Sequence, residues 1–117
     1  MKRAMISISG ISEKEFLDLF ELKEKPNIGT EITVMPDVKI INGTSFGMGI
    51  AETEVFQIVY PIISGIAINL FSAWLYDKLK EKKLLHKTKL RINGEHSNIE
   101  VADIQEHLEN TEDEQSV

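Results

Sequence analysis

Residues 55–82, VFQIVYPIISGIAINLFSAWLYDKLKEK, decide how this chain is read. From Val55 to Tyr76 no side chain carries a charge. Taken as one long helix over about 54–82, the stretch gathers Val55, Phe56, Val59, Ile62, Ile63, Ile66, Leu70, Phe71 and Trp74 on an apolar arc. Gln57, Pro61, Ser64, Gly65, Asn69, Ser72 and Tyr76 fall opposite, with Ile58, Ile68 and Leu75 mixed among them. Pro61 removes one backbone hydrogen bond, so it kinks the helix or marks its first turn. Gly65, Asn69 and Ala73, spaced by four, let another backbone approach. The candidate contact residues on this helix are Ile62, Gly65, Asn69, Ala73 and Trp74.

Two placements suit such a helix. It is buried between a small sheet and a partner, or it spans about 30 Å of hydrocarbon with Lys78–Lys83 as its positive-inside flank. Asn69, near the middle, weighs against the bilayer because an unpaired polar side chain is costly there. A cytoplasmic chain is the leading expectation, and single-pass or peripheral anchoring at the inner membrane is the alternative.

Charge is segregated around this stretch. Residues 1–54 sum to −3, Asp77 adds −1, residues 78–91 carry +6, and residues 92–117 carry −8 without a Lys or Arg. The basic block suits the negative end of a helix dipole, the acidic tail or anionic head groups. With a net charge of −6 the 117-residue chain has no global basic footprint, so no nucleic acid partner is expected. The absence of cysteine removes disulfides, thiolate metal sites and a cysteine nucleophile. A 42% hydrophobic and 27% charged composition fits one modest globular core. Residues 110–117 lack apolar periodicity and are expected to be disordered, which leaves 1–109 as a single domain.

The N-terminal half reads locally. Residues 5–9 alternate as a strand. Ser12 and Glu15 form a capping box, with Ile11 and Phe16 as its hydrophobic staple. Phe16, Leu19, Phe20 and Lys23 then share a helical face, and Pro26 is expected to end the helix. Residues 30–35 alternate again, Pro36-Asp37 suits a type I turn, and 38–41 return antiparallel. Farther on, Asn93-Gly94 marks a hairpin over about 87–101. Its register sets Ile92 opposite Glu95 and pairs Lys87 with Glu100 on the outer face. A last short helix over about 102–109 offers Ile104 and Leu108 to the core.

Chemical motifs are sparse. Gly43-Thr44-Ser45-Phe46-Gly47 matches G-x-S-x-G, but a nucleophile elbow turns directly into a helix, and here four further residues intervene. Asp77 or Asp103 with His96 or His107 would have to complete a triad around Ser45. His86, His96 and His107 fall on three different elements, without the spacing of a metal pair. No catalytic residue, metal or cofactor is expected.

Residues 62–80, IISGIAINLFSAWLYDKLK, followed by 89–109, KLRINGEHSNIEVADIQEHLE, resemble small uncharacterised bacterial proteins. Similar helices occur in effector-associated modules of bacterial conflict and defence systems. The resemblance implies a bacterial or phage protein that acts by contact with a larger partner. The sequence thus predicts an α+β fold: a small antiparallel sheet of four to five strands packed by one long central helix, with two shorter helices. Its expected function is a non-catalytic interaction module or small adaptor that binds a protein partner or self-associates. A membrane-anchored protein is the alternative, and a small serine hydrolase using Ser45 is a remote one.

Overall fold

A computed structural model describes residues 2–36, 38–46 and 55–112. It is an α+β fold in the order β1 (Lys2–Ser9), α1 (Glu13–Leu19), β2 (Glu31–Met35), β3 (Val38–Asn42), β4 (Val55–Ile62), α2 (Gly65–Glu81), β5 (Lys89–Ile92), β6 (Glu95–Ser97) and α3 (Val101–Glu109). The six strands form one antiparallel sheet ordered β2-β3-β4-β1-β5-β6.

The expected helix over 54–82 is therefore two elements. Its first part is β4, which sits between β3 and β1 and raises the sheet from five strands to six. The reason is a change of period. Phe56, Ile58 and Tyr60 are buried while Val55 and Gln57 are exposed, the alternation of a strand with one covered face. Pro61 neither kinks nor starts a helix; it lies in β4, paired with Arg3 of β1. The helix begins afterwards, where the Ser64 hydroxyl accepts from Ala67 N at 3.2 Å. No helix among the described residues is long and apolar enough to cross a membrane, which corrects the bilayer helix over 55–76.

Moving the helix start also rotates its wheel. The core side of α2 is Ile68, Phe71, Ser72, Leu75 and Leu79, a regular i, i+3, i+4, i+7, i+11 series. Ile66 and Leu70, placed on the apolar arc from sequence, face outward. Each fully buried apolar side chain contributes about 1.5–3 kcal/mol. The inward series therefore holds the helix on the sheet without them.

The core lies between one sheet face and the helices. Ala4, Ile6 and Ile8 of β1, Leu90 and Ile92 of β5, and Ile40 of β3 are almost fully buried there with Phe16, Leu19, Ile104 and Leu108. An aromatic chain threads it. Phe16 stacks on Phe56 at 4.5 Å, Phe20 reaches Trp74 at 5.5 Å, and Phe71 stacks on Tyr60 at 4.5 Å.

Local signals decide the connections. The Ser12–Glu15 capping box forms as expected. However, α1 ends at Leu19, ahead of Pro26, in a Schellman turn: Leu22 N donates to Leu17 O and Glu21 N to Asp18 O, with Glu21 at φ 54°. Asn93 and Gly94, at φ 54° and 84°, make the tight turn that sets Ile92 opposite Glu95. Because β6 stops at Ser97, Lys87 does not meet Glu100. It pairs with Glu15 of α1 at 2.8 Å instead. That meeting is possible because Gly10, at φ 85°, lets the Lys87 carbonyl approach where any Cβ would collide. The Asp37 half of the Pro36-Asp37 turn, the Gly47 end of the G-x-S-x-G match and residues 113–117 of the acidic tail lie outside the described residues.

Candidate functional site

The start of α2 and the residue before its cap carry an apolar surface. Ile63, Ile66 and Leu70 are 75%, 73% and 45% exposed. With Val38, Lys39, Ser64 and Ala67 they line a groove of about 560 Å³ between α2 and the start of β3. No acidic residue occupies the first turn of α2, so the positive end of its dipole is uncompensated by side chains. Lys39 stands at the rim, 3.2 Å from Glu31.

The five contact residues expected from sequence divide. Gly65 and Asn69 are exposed beside this patch, and Ala73 is half-buried one turn farther along the same stripe. Ile62 closes β4 and packs against the core. Trp74 turns inward to Phe20 and Phe71. The stripe is thus accessible at one end, and its apolar content comes from Ile63, Ile66 and Leu70.

The residues considered for catalysis are not brought together. Ser45 is exposed at a hollow of about 250 Å³ lined by Lys25, Pro26, Asn27, Ile28 and Phe46, with no carboxylate or imidazole among them. The next described element after Ser45 is a strand, β4, and not the helix that an elbow requires. His86 and His96 are exposed. Among the described residues no group of three or more histidines and carboxylates could hold a metal ion.

A polar cleft of about 460 Å³ lies where α3 meets the β5–β6 turn, lined by Arg3, Asn93, Glu95, Asp103, Glu106, His107 and Thr111 among others. Its groups serve the fold. Asp103 accepts from Asn98 N at 2.7 Å and sits 3.8 Å from His107 Nε2. Asn93 extends the sheet beyond its last pair: its Oδ1 accepts from Met5 N at 3.0 Å, its own N donates to Met5 O at 2.7 Å, and its Nδ2 donates to Thr111 at 2.9 Å.

A second polar hub, at Asn42, was not expected from the sequence. Asn42 is fully buried. Its amide nitrogen donates to the carbonyls of Pro26, Asn27 and Thr44, and its oxygen accepts from Thr44 N. The signal available was the neighbouring Gly43, which placed a turn here without saying which loop the amide would gather.

Fold and surfaces together define an open-faced α+β protein whose most exposed apolar surface is a helix end. Compared with known proteins, the chain matches no family model, no curated protein and no solved structure.

Proposed function

We propose that this chain is a non-catalytic protein-interaction module, an adaptor that seats one amphipathic helix of a partner protein in the groove at the start of α2. The observation that carries this reading is the exposure of Ile63, just before α2, and of Ile66 and Leu70 on a helix whose core side is already complete. Contiguous branched apolar side chains on a surface mark contact sites more often than chance. A groove beside a helix accepts i, i+3, i+4 anchors from an incoming helix.

Three side chains are few beside the roughly 20–30 residues per side of a standard interface, which favours a single docked helix over a symmetric dimer. The dipole end, which no acidic side chain offsets, favours an acidic flank on that helix. The setting is proposed from the sequence resemblance alone: a cytoplasmic bacterial or phage conflict system.

The test places a photo-crosslinking amino acid at position 66, with a control at Glu24, in cells of the source organism. The reading expects an adduct with a second protein that is lost in Leu70→Ser. An adduct at twice the chain's own mass would replace the partner with a second copy. Equal labelling at both positions would overturn the groove. In the same preparation, a fluorophosphonate probe is expected to leave Ser45 unlabelled.

A further inference from the structure

Among the described residues, the sheet buries one face and leaves the other open. On β5, alternation sends Leu90 and Ile92 into the core and Lys89 and Arg91 outward. The strand register then builds two rows across the open face. Arg91 stands between His96 of β6 and Ser7 of β1, with Gln57 of β4 beyond; Lys89 stands beside Ser9, with Val55 beyond.

These rows hold donors and cations and no carboxylate. Lys89 has no ion-pair partner among the described residues, and Arg91 has one contact, its guanidinium at 3.5 Å from the Gly94 carbonyl. Of the described acidic residues, Glu31 shares this face but lies on β2 at the far edge of the sheet, paired with Lys39. Glu106 and Glu109 belong to α3, which packs against β5 and β6 from the helix side of the sheet. A net charge of −6 thus conceals a local cationic surface.

We propose that this open face, centred on Lys89 and Arg91, is a second docking surface that takes an extended acidic segment of a partner protein. Charge complementarity selects the occupant. Two residues of β5 span about 7 Å, the distance between alternate side chains of an extended peptide. Successive same-side carboxylates can therefore meet Lys89 and Arg91, each with a serine hydroxyl on the neighbouring strand ready to donate. Val55 and Met5, half exposed on this face, can receive apolar residues between them.

A nucleic acid fits less well. No Phe, Tyr or Trp stands on this face among the described residues to stack a base. The proposal stands apart from the α2 groove, because Ile66 and Leu70 belong to the helix layer while Lys89 and Arg91 point out of the opposite sheet face, and the two sets respond to different substitutions.

The experiment is fluorescence anisotropy of the full chain with a labelled peptide of alternating Glu and Val, its Lys-Val counterpart and a labelled oligothymidylate, at about 20 and 300 mM salt. The acidic peptide is expected to bind at low salt and weaken at high salt. Lys89→Glu with Arg91→Glu should weaken it at least about tenfold. Lys14→Glu with Lys23→Glu, exposed on and after α1, should not. Lys89→Gln with Arg91→Gln, which introduces no repulsion, should give a smaller loss at an unchanged melting temperature. Equal weakening by both charge-reversed pairs, equal binding of the Lys-Val peptide, or tighter binding of the oligothymidylate would overturn the proposal. So would salt-sensitive self-association that disappears with Lys89 and Arg91, since the occupant would then be a second copy.

Discussion

The ring of Tyr60 in β4 lies stacked on Phe71 of α2, centroids 4.5 Å apart and planes 19° from parallel, and the phenol oxygen is buried without a hydrogen-bond partner among the described residues. The pair joins the two elements that the uncharged stretch becomes, and it does so through ring packing alone. Burial pushes the phenol up to about 12 from 10.0. Between those values the unfolded chain loses the proton while the folded chain keeps it, so stability falls as pH rises from about 10 to 12. The loss is on the order of 2–3 kcal/mol. Tyr60→Phe should remove that alkaline limb and, by deleting an unsatisfied hydroxyl, leave neutral-pH stability unchanged or higher by about 1 kcal/mol. Urea titrations of both proteins at pH 8 and 11 check it. The Ser72 hydroxyl is likewise buried and unpaired among the described residues, so Ser72→Ala should also not destabilise.

Asn42 is the opposite case, a buried polar group with its partners in place. Asn42→Ala leaves the carbonyls of Pro26, Asn27 and Thr44 without their donor and should cost about 2–4 kcal/mol. Asn42→Asp keeps the shape but sets a carboxylate against three carbonyl oxygens, so it should cost at least as much at pH 7. Its deficit should shrink as the pH falls and the carboxyl gains a proton. Chemical denaturation at pH 7 and pH 4 separates the two variants. An Asp variant as stable as the parent at pH 7 would remove the hub from the account.

Lys83 closes α2 in the left-handed region at φ 59°, where Leu84 N donates to Leu79 O and Lys83 N to Lys80 O. Leu79 and Leu84 are both buried, the hydrophobic contact that accompanies this turn. A β-carbon at that φ is strained, and glycine is free of it. Lys83→Gly should therefore stabilise by about 0.5–1 kcal/mol, and Glu21→Gly, at φ 54° after α1, by less because Glu21 also contacts Lys78. Thermal melts of the two variants and their double mutant test this. The distant sites should add.

What could be read from sequence followed how local each cause is. Ser12 with Glu15, and Asn93 with Gly94, are complete within four residues, and both appear as read. The boundary inside the uncharged stretch was not read, because a run of apolar residues is compatible with either period. Gln57 between Phe56 and Ile58 carried the strand alternation, and Ser64 after Pro61 carried the cap, but both were absorbed into a longer helix. That single misplacement hid the sixth strand. It also centred the helical wheel on residues that belong to β4, so the outward exposure of Ile66 and Leu70 could not be anticipated. Lys89 and Arg91 were legible as alternate residues of a strand, but which face was open depended on where all three helices settle. Asn42 depended on a loop 15 residues earlier folding back to it.

The tie between Lys87 and Glu15 also joins distant parts of the chain, and it makes acid sensitivity specific to one contact. Glu15 has its carboxyl held below the usual value, first by the hydrogen bond from Lys87 and then by the backbone N–H of Ser12. Its folded value lies under its unfolded one, so this stabilisation is present above the unfolded value of about 4.5 and is lost as pH falls through the lowered one. Glu15→Gln retains a side chain that can accept from Ser12 N but gives up the ion pair. It should cost about 0.5–1 kcal/mol at pH 7, since both partners are partly exposed, and nothing once the parent carboxyl is protonated. Lys87→Met should give the same pH dependence from the other side. The double variant should lose no more than the larger single one, as expected for groups that act as one pair. Stability measured from pH 3 to 7 on all four proteins decides it: parallel curves would mean the contact has no part in acid unfolding, and convergence at low pH assigns that limb to Glu15 and Lys87.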